Sequence, residues 1–383
     1  MRSAPAGSMT RAAAVVVGAG PAGLATAAML SRRGIPALVL ERDERPAASW
    51  HRHYRSLRLH TVRALSSLPG RPIPRSCGRW VSRGDFVAYL ERYAAAQELR
   101  IQPGTPVHRI QPAGQGWRLA VADGAMDARA VVVATGYNHT PVVPAWAAGA
   151  AGVRVIHSSE YRDPEPFQGR RVLVVGAGNS GTDIALDLAA GGARQVWLSV
   201  RSPPALVPRQ VLGVPAQVAA IGLVRLPPQL GDAAAGLERR LFAGGLAAYG
   251  LAQSGNRVFT RHLEDGRIPI LDIGFRDAVR AYRMRIVPAV EAVHDGRVRL
   301  RGGVTLTPDA VIAATGYRPD LGSLVGDLGV LDERGLPRAG SGKTPTGRPG
   351  LYFAGYRNPL TGALRELRFE APAIADAVAA DYR

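Results

Sequence analysis

One glycine pattern occurs twice in this chain, each time directly behind an apolar run. Gly18-Ala-Gly20-Pro-Ala-Gly23 follows Ala14-Val-Val-Val17, and Gly176-Ala-Gly178-Asn-Ser-Gly181 follows Val172-Leu-Val-Val175. An alanine- and leucine-rich stretch of helical character comes after each. A strand, a glycine turn and a helix in that order form the phosphate-cradling start of a βαβ unit. The first glycine makes the tight turn, the second lets backbone approach a pyrophosphate, and the third lets helix pack on strand. Two copies predict an α/β protein with two Rossmann-like dinucleotide-binding domains. Two dinucleotides in one chain imply electrons passing from one to the other.

The pattern extends outward from both turns. Residues 13–17 read as strand, 21–33 as helix ending at Gly34, and 36–41 as strand. The second unit repeats this with strand 171–175, helix 179–190 stopped by Gly191-Gly192, and strand 195–200. Two buried strands ending in Thr-Gly also echo each other, Ala130 to Thr135-Gly136 and Asp309 to Thr315-Gly316. Proline-rich joints place 11–145 and 290–383 in one domain, with 150–289 inserted as the other. Residues 203–260 are rich in Ala, Gly, Leu and Pro, with short amphipathic helices expected around 214–224 and 233–249. They read either as a packing excursion or as a lid over a substrate cavity. Residues 1–10 read as a loose tail.

Several function classes are disfavoured. The formal net charge is +18, but the basic residues are scattered arginines with Lys343 the sole lysine, so nucleic acid is not an expected partner. Cys77 is the single cysteine, so no internal disulfide or dithiol motif can form, and a reducing cytoplasm is expected. No run reaches the ~18 apolar residues of a membrane span. The start of the chain imitates a signal peptide, yet the first glycine turn lies inside that run. Gly342-Lys343-Thr344 resembles the end of a P-loop, but Pro337 stands where its first glycine belongs. No metal-ligand spacing is present.

The residue ending the second strand of each unit assigns the ligands. It faces the adenosine ribose, about 20 residues past the first glycine. In the first unit it is Glu41, whose carboxylate accepts from ribose hydroxyls and repels a 2′-phosphate, favouring FAD or NAD. In the second unit the strand ends at Arg201-Ser202, which suits the 2′-phosphate of NADPH.

With these residues in place, the chain resembles the class B flavin-containing monooxygenases, most of all the YUCCA-type branch and its bacterial relatives. The similarity runs from about residue 12 to 380. Val174-Val-Gly-Ala-Gly-Asn-Ser-Gly181 with Asp183, Val200-Arg-Ser202 with Leu206-Val-Pro-Arg209, and Tyr54-Arg-Ser-Leu-Arg-Leu-His60 carry it, with Gly350-Leu-Tyr-Phe-Ala-Gly-Tyr356. The resemblance implies a glutathione-reductase-like two-domain arrangement. It implies an FAD site of Gly18, Gly20, Pro21, Ala22, Gly23, Glu41, Arg42, Trp50, Thr135, Gly136, Gly355 and Leu364. It implies an NADPH site of Gly176, Gly178, Asn179, Ser180, Gly181, Arg201, Ser202, Thr315 and Gly316. The family identifier keeps its back half, His157-Ser-Ser-Glu-Tyr161, but Ala151 and Val153 replace the expected Phe and Gly. The Baeyer–Villiger branch would carry Trp at Tyr161, and animal-type enzymes carry Asn where His60 stands.

The implied chemistry is NADPH-dependent reduction of FAD, then oxygen transfer to a small organic substrate through a flavin C4a-hydroperoxide sheltered from water. The N-terminus of the last helix, opened by Leu360-Thr-Gly-Ala-Leu364 after Gly355, would stabilise charge on the reduced flavin. His60 reads equally as a direct participant and as a structural residue. His157 reads as a hinge and packing residue. The expected substrate is a 2-oxo acid such as indole-3-pyruvate, or an amine or sulfide of specialised metabolism. The alternative is a flavin reductase or oxidase passing electrons to a quinone, a protein or O2. A non-enzymatic regulatory module would require salt-dependent nucleic-acid binding. A monomer or homodimer is expected.

Overall fold

The structure, a computed structural model, describes residues 12–242, 246–251, 257–340, 342–345 and 347–382, with the side chains of 238–242 outside that description. The tail expected at 1–10 lies outside it, as do 243–245 and 252–256 of the 203–260 stretch.

The first strand, β1 (Ala12–Val17), contains only alanine and valine. Such a run suits a parallel sheet covered on both faces. Ala14 and Val16 enter one core beneath the helices, while Val15 and Val17 enter another that holds Trp117 and Leu321. The glycine turn leads into α1 (Pro21–Arg32) and β2 (Ala37–Leu40), with Gly34 just past the helix at φ +72°. Two single-turn helices, α2 (Ala48–His51) and α3 (Arg63–Ser66), precede α4 (Arg83–Ala96). The strands β3 (Arg100–Gln102), β4 (Val107–Ala113), β5 (Gly116–Val121) and β6 (Gly124–Val133) complete a sheet ordered β3-β2-β1-β6-β5-β4. The late strand Leu351–Phe353 pairs in parallel with β6.

The chain then crosses through β7 (Thr140–Pro141) and α5 (Ala145–Ala148) to β8 (Arg154–His157). The second unit is β9 (Arg171–Val175), α6 (Asn179–Ala190) and β10 (Gln195–Ser199). Next come β11 (Leu206–Pro208), the hairpin β12 (Gln210–Val211) and β13 (Val214–Pro215), and the helices α7 (Ala216–Leu223), α8 (Pro228–Phe242) and α9 (Val258–Asp265). β14 (Ile270–Asp272), α10 (Phe275–Arg280) and β15 (Arg285–Val287) return the chain to the sheet. A small antiparallel sheet follows, β16 (Val290–His294), β17 (Arg297–Leu300) and β18 (Thr305–Leu306), and then β19 (Ala310–Ala313). The second sheet is parallel throughout, in the order β15-β10-β9-β19-β8. β20 (Tyr317–Arg318) pairs with β7, and α11 (Gly322–Val325) and α12 (Ala363–Asp381) close the first domain.

This topology moves one expected boundary. Residues 290–313 belong with the second sheet, not with the first domain. β19 lies between β9 and β8, and β16–β18 cover Leu173, Val175 and Val311 with Val293, Val298 and Leu300. The Thr-Gly echo explains the shift: each nucleotide unit has its own Thr-Gly strand beside its glycine-turn strand, β6 beside β1 and β19 beside β9. The helix expected over 233–249 begins earlier, at Pro228, because proline's fixed φ suits a first helical turn.

Candidate active site

The two glycine turns have the same stereochemistry. At Gly18 (φ +107°) a Cβ would lie 2.6 Å from the Ala134 carbonyl oxygen; at Gly176 (φ +112°) it would lie 2.4 Å from that of Ala314. The third glycines, Gly23 and Gly181, each leave 1.9 Å between an added Cβ and the first glycine's oxygen. The middle glycines, Gly20 and Gly178, face open space within 4 Å. Helix and turn are thus pressed together, and the side where a phosphate would lie is clear. Neither α1 nor α6 has an acidic residue in its first turn, so each N-terminus is free to favour an anion.

Around the first turn, Glu41 is 8% exposed, and its two oxygens accept from the backbone N–H of Ala19 (2.7 Å) and Asp43 (3.1 Å). The carboxylate is held against the turn at the end of β2, where a ribose would sit. Pro21 occupies the first turn of α1, and a Cβ on Gly355 would meet Ala22 at 2.8 Å. Gly355 N–H donates to Glu370, and Thr135 Oγ1 lies 2.7 Å from the Tyr356 hydroxyl, beside Gly136 at φ +100°. Arg42 meets His139 at 2.9 Å, and burial holds the pKa of His139 below its usual value. Trp50 packs edge-on against Phe86 at 4.5 Å, and Leu364 packs on the same core. These contacts fit FAD along the turn, with Trp50 supporting the wall.

The second turn opens into a cavity of about 540 Å³ lined by Gly176, Gly178, Arg201, Ser202, Thr315 and Gly316. Arg261 and Arg267 line it too; no local pattern in the sequence marks them out. Three guanidinium groups around a glycine turn suit the phosphates of NADPH. Two predicted ligands behave differently. The Asn179 side chain is engaged within the protein, donating to Pro269 O (3.3 Å) and accepting from Leu271 N–H (3.0 Å), so it ties α6 to β14. Ser180 is exposed and is not among the residues lining that cavity.

A second cavity, about 210 Å³, shares Val258, Ile268, Pro269 and Asn358 with the first. Its walls come from α7–α9 of the 203–260 stretch and from Leu360, Gly362 and Ala363 at the start of α12. His60 is among its lining residues. His60 Nε2 is 2.8 Å from Asp183 Oδ2, which also accepts from the Tyr54 hydroxyl at 3.0 Å. Asp183 belongs to α6 and is 7% exposed, so this contact joins the two domains. Burial, then the Asp183 charge, pushes the Tyr54 hydroxyl well above its ordinary pKa. Gln217, buried in α7, accepts from Val62 N–H (3.0 Å) and donates to Thr361 O (2.7 Å). Its one sequence signal is that it is the sole polar residue of α7.

The identifier segment lies at the crossover. His157 is buried; Nε2 is 3.2 Å from Gly316 O, Nδ1 is 3.0 Å from Ser159 Oγ, and its ring packs edge-on against Tyr317. Two polar contacts and one ring contact thus hold His157 at the crossover. Ala151 O accepts from Gly296 N–H at 2.8 Å, and Val153 packs in the core of β16–β18, so the altered front half is pinned to the β16–β17 turn.

A family signature described as pyridine nucleotide-disulphide oxidoreductase matches residues 15–207. The chain is 38% identical over 358 residues to indole-3-pyruvate monooxygenase YUCCA1 of Oryza sativa subsp. japonica, covering 90% of this chain and 86% of the relative. It is 34% identical to probable indole-3-pyruvate monooxygenase YUCCA9 of Arabidopsis thaliana, covering 91% and 85%. The chain belongs to the flavin-containing monooxygenase family. A mutant flavin monooxygenase from Stenotrophomonas maltophilia superposes with a TM-score of 0.74 at 26% identity, covering 98% of this chain and all of that one. A cyclohexanone monooxygenase from Rhodococcus bound to NADP+ shares the fold at 19% identity, with a TM-score of 0.73 and coverage of 98% and 85%. As a family member the protein is a flavin-dependent monooxygenase, and FAD and NADPH are the family's cofactors. Among the described residues no helix is long and apolar enough to cross a membrane, and no group of His, Cys, Asp and Glu is placed to hold a metal.

Proposed function

We propose that this flavin monooxygenase binds FAD at Gly18–Gly23 and Glu41 and NADPH at Gly176–Gly181 and Arg201. In this reading it oxygenates a small organic molecule in the 210 Å³ cavity. The observation that carries this reading is the shared wall of Val258, Ile268, Pro269 and Asn358 between the substrate cavity and the dinucleotide cavity. Bound FAD, reduced by NADPH, supplies activated oxygen; the chain's residues position the partners and exclude water. Glu41 and the N-terminus of α1 hold the adenosine and pyrophosphate of FAD, and Arg201, Arg261 and Arg267 hold the NADPH phosphates. The helices α7–α9 serve as the lid. Gln217 ties that lid to residues 62 and 361, which keeps bulk water from the reacting end. His60, fixed by Asp183, presents one ring nitrogen to the substrate.

The test is oxygenation under isotopically labelled O2, with FAD-loaded enzyme, NADPH and a panel of one-ring ketones, sulfides, amines and 2-oxo acids. Incorporation of one labelled atom per product molecule is expected. NADPH consumed with peroxide as the sole oxygen product across the panel would instead indicate the reductase or oxidase alternative.

A further inference from the structure

The arginines that are scattered along the sequence are gathered by the fold. Residues 45–84 contain nine arginines and residues 188–231 contain four, and neither stretch contains an Asp or Glu. The hairpin β12–β13 brings the two stretches together. Arg79 donates to Gln210 Oε1 (3.2 Å) and Gly213 O (2.6 Å), Arg209 Nη2 donates to Leu59 O (2.9 Å), and Arg58 Nη1 donates to Trp80 O (3.2 Å). Arg63 anchors the loop that carries Arg71 and Arg75: its N–H donates to Arg79 O and its Nη1 to Ile73 O, both at 2.9 Å. Arg58, Arg71, Arg75, Arg79 and Arg225 are exposed, and among the described residues none of them has a carboxylate within ion-pair distance. Exposed arginines elsewhere do, as Arg118 has Asp127 and Arg171 has Asp309.

The same surface is apolar at its tips. The two-residue turn of the hairpin is Leu212-Gly213, at φ +47° and +79°. Such a turn favours Asn, Asp or Gly. A leucine there is strained, and its side chain is 90% exposed, so it gains no packing in return. Val214 beside it is exposed too. On α7, Gln217 faces the first domain while Val218 and Gly222, one turn apart, face solvent. Val224 and Leu226 continue the exposed apolar run on either side of Arg225. Most of the large apolar side chains that are exposed among the described residues fall between 212 and 273, and such a concentration marks a contact surface. Charge selects the occupant. In a two-fold contact between copies the arginines would face arginines, which opposes a second copy. Nucleic acid would use the guanidinium groups but not Leu212 or Val218, and the Trp80 ring already carries Arg209 at 3.8 Å. An anionic lipid surface uses both kinds of group: apolar side chains enter the acyl boundary and arginines meet headgroup phosphates.

We propose that the hairpin tip, the outer face of α7 and the arginines of residues 58–79 form a docking surface for an anionic lipid bilayer, with Leu212, Val214 and Val218 entering the lipid. Ala219, Ala220 and Leu223 of α7 line the 210 Å³ cavity, so docking brings that cavity beside the acyl chains. The docking surface itself does not depend on what the cavity takes. The test is co-sedimentation of the FAD-loaded enzyme at physiological salt with vesicles of phosphatidylcholine, alone or mixed with phosphatidylglycerol. Binding roughly tenfold tighter to the mixed vesicles is expected. Leu212→Asn keeps every charge, suits the turn and lies outside both cavities; it is expected to weaken that binding severalfold. Arg75→Gln combined with Arg225→Gln is expected to weaken it as well. Failure to bind the mixed vesicles overturns the proposal. So does Leu212→Asn binding them like the parent, which would leave only adsorption of a cationic protein. Tighter binding to a DNA duplex than to the mixed vesicles would assign the arginines to nucleic acid and overturn it too.

Discussion

Gly23 and Gly181 are each wedged against the carbonyl oxygen of the first glycine in their own turn, with room for no side-chain atom. Gly23→Ala should therefore yield protein with little bound flavin. Gly181→Ala should keep the flavin but lose most reduction by NADPH; flavin content and anaerobic reduction rates distinguish the two. At the second strand end, Arg201→Ala should raise KM for NADPH far more than for NADH. Equal effects on both would remove Arg201 from the 2′-phosphate site. These residues were legible because their positions follow from local order: strand, turn, helix, strand end. Asp183 beside His60 was not, because the two are 123 positions apart and no periodicity links them. Asn179 shows the converse. Its place in the glycine pattern suggested a ligand contact, but the fold turns its side chain toward β14.

The helix α7 is the element on which the proposed lid depends, and its buried side chain, Gln217, hydrogen-bonds Val62 and Thr361 of the first domain. Gln217→Leu keeps the volume but leaves Val62 N–H and Thr361 O without their partner. Each unmade buried hydrogen bond costs about 1–3 kcal/mol. The expected result is a loosened lid, seen as a severalfold rise in peroxide released per NADPH with little change in flavin content. At this scale the βαβ units are legible in the sequence, since apolar strands and glycine stops are local signals. The place of β19 is not legible in the sequence, because a buried four-residue strand fits either sheet equally well by composition, and pairing with β8 and β9 is a tertiary fact. The helices of 203–260 are only roughly legible. Their weakly amphipathic, alanine-rich sequence defines no sharp ends, and Pro228 fixed one start that periodicity alone did not show.

Across the whole molecule, the two domains meet at Tyr54, His60 and Asp183, close to His53. Burial, then the charges of Arg162, Arg83 and Arg52, lowers the pKa of His53 to about 4. Unfolded histidine titrates near 6.5, so between these values the unfolded chain binds more protons and stability rises with pH. His53 should thus cost stability as pH falls from about 6.5 toward 4, by up to about 1.4 kcal/mol per unit. Denaturant midpoints at pH 7 and pH 5 should differ less in His53→Gln than in the parent; an unchanged difference would remove His53 as the cause. In the proposed function two cofactors meet at a sheltered cavity where oxygen is retained for transfer. The most direct test of this is a single turnover without substrate. Enzyme-bound FAD is reduced by one equivalent of NADPH without air, then mixed with O2 while flavin absorbance and peroxide are followed. Return of oxidised flavin and release of peroxide, both delayed well beyond the mixing with O2, is the predicted result. Immediate reoxidation with stoichiometric peroxide would contradict it.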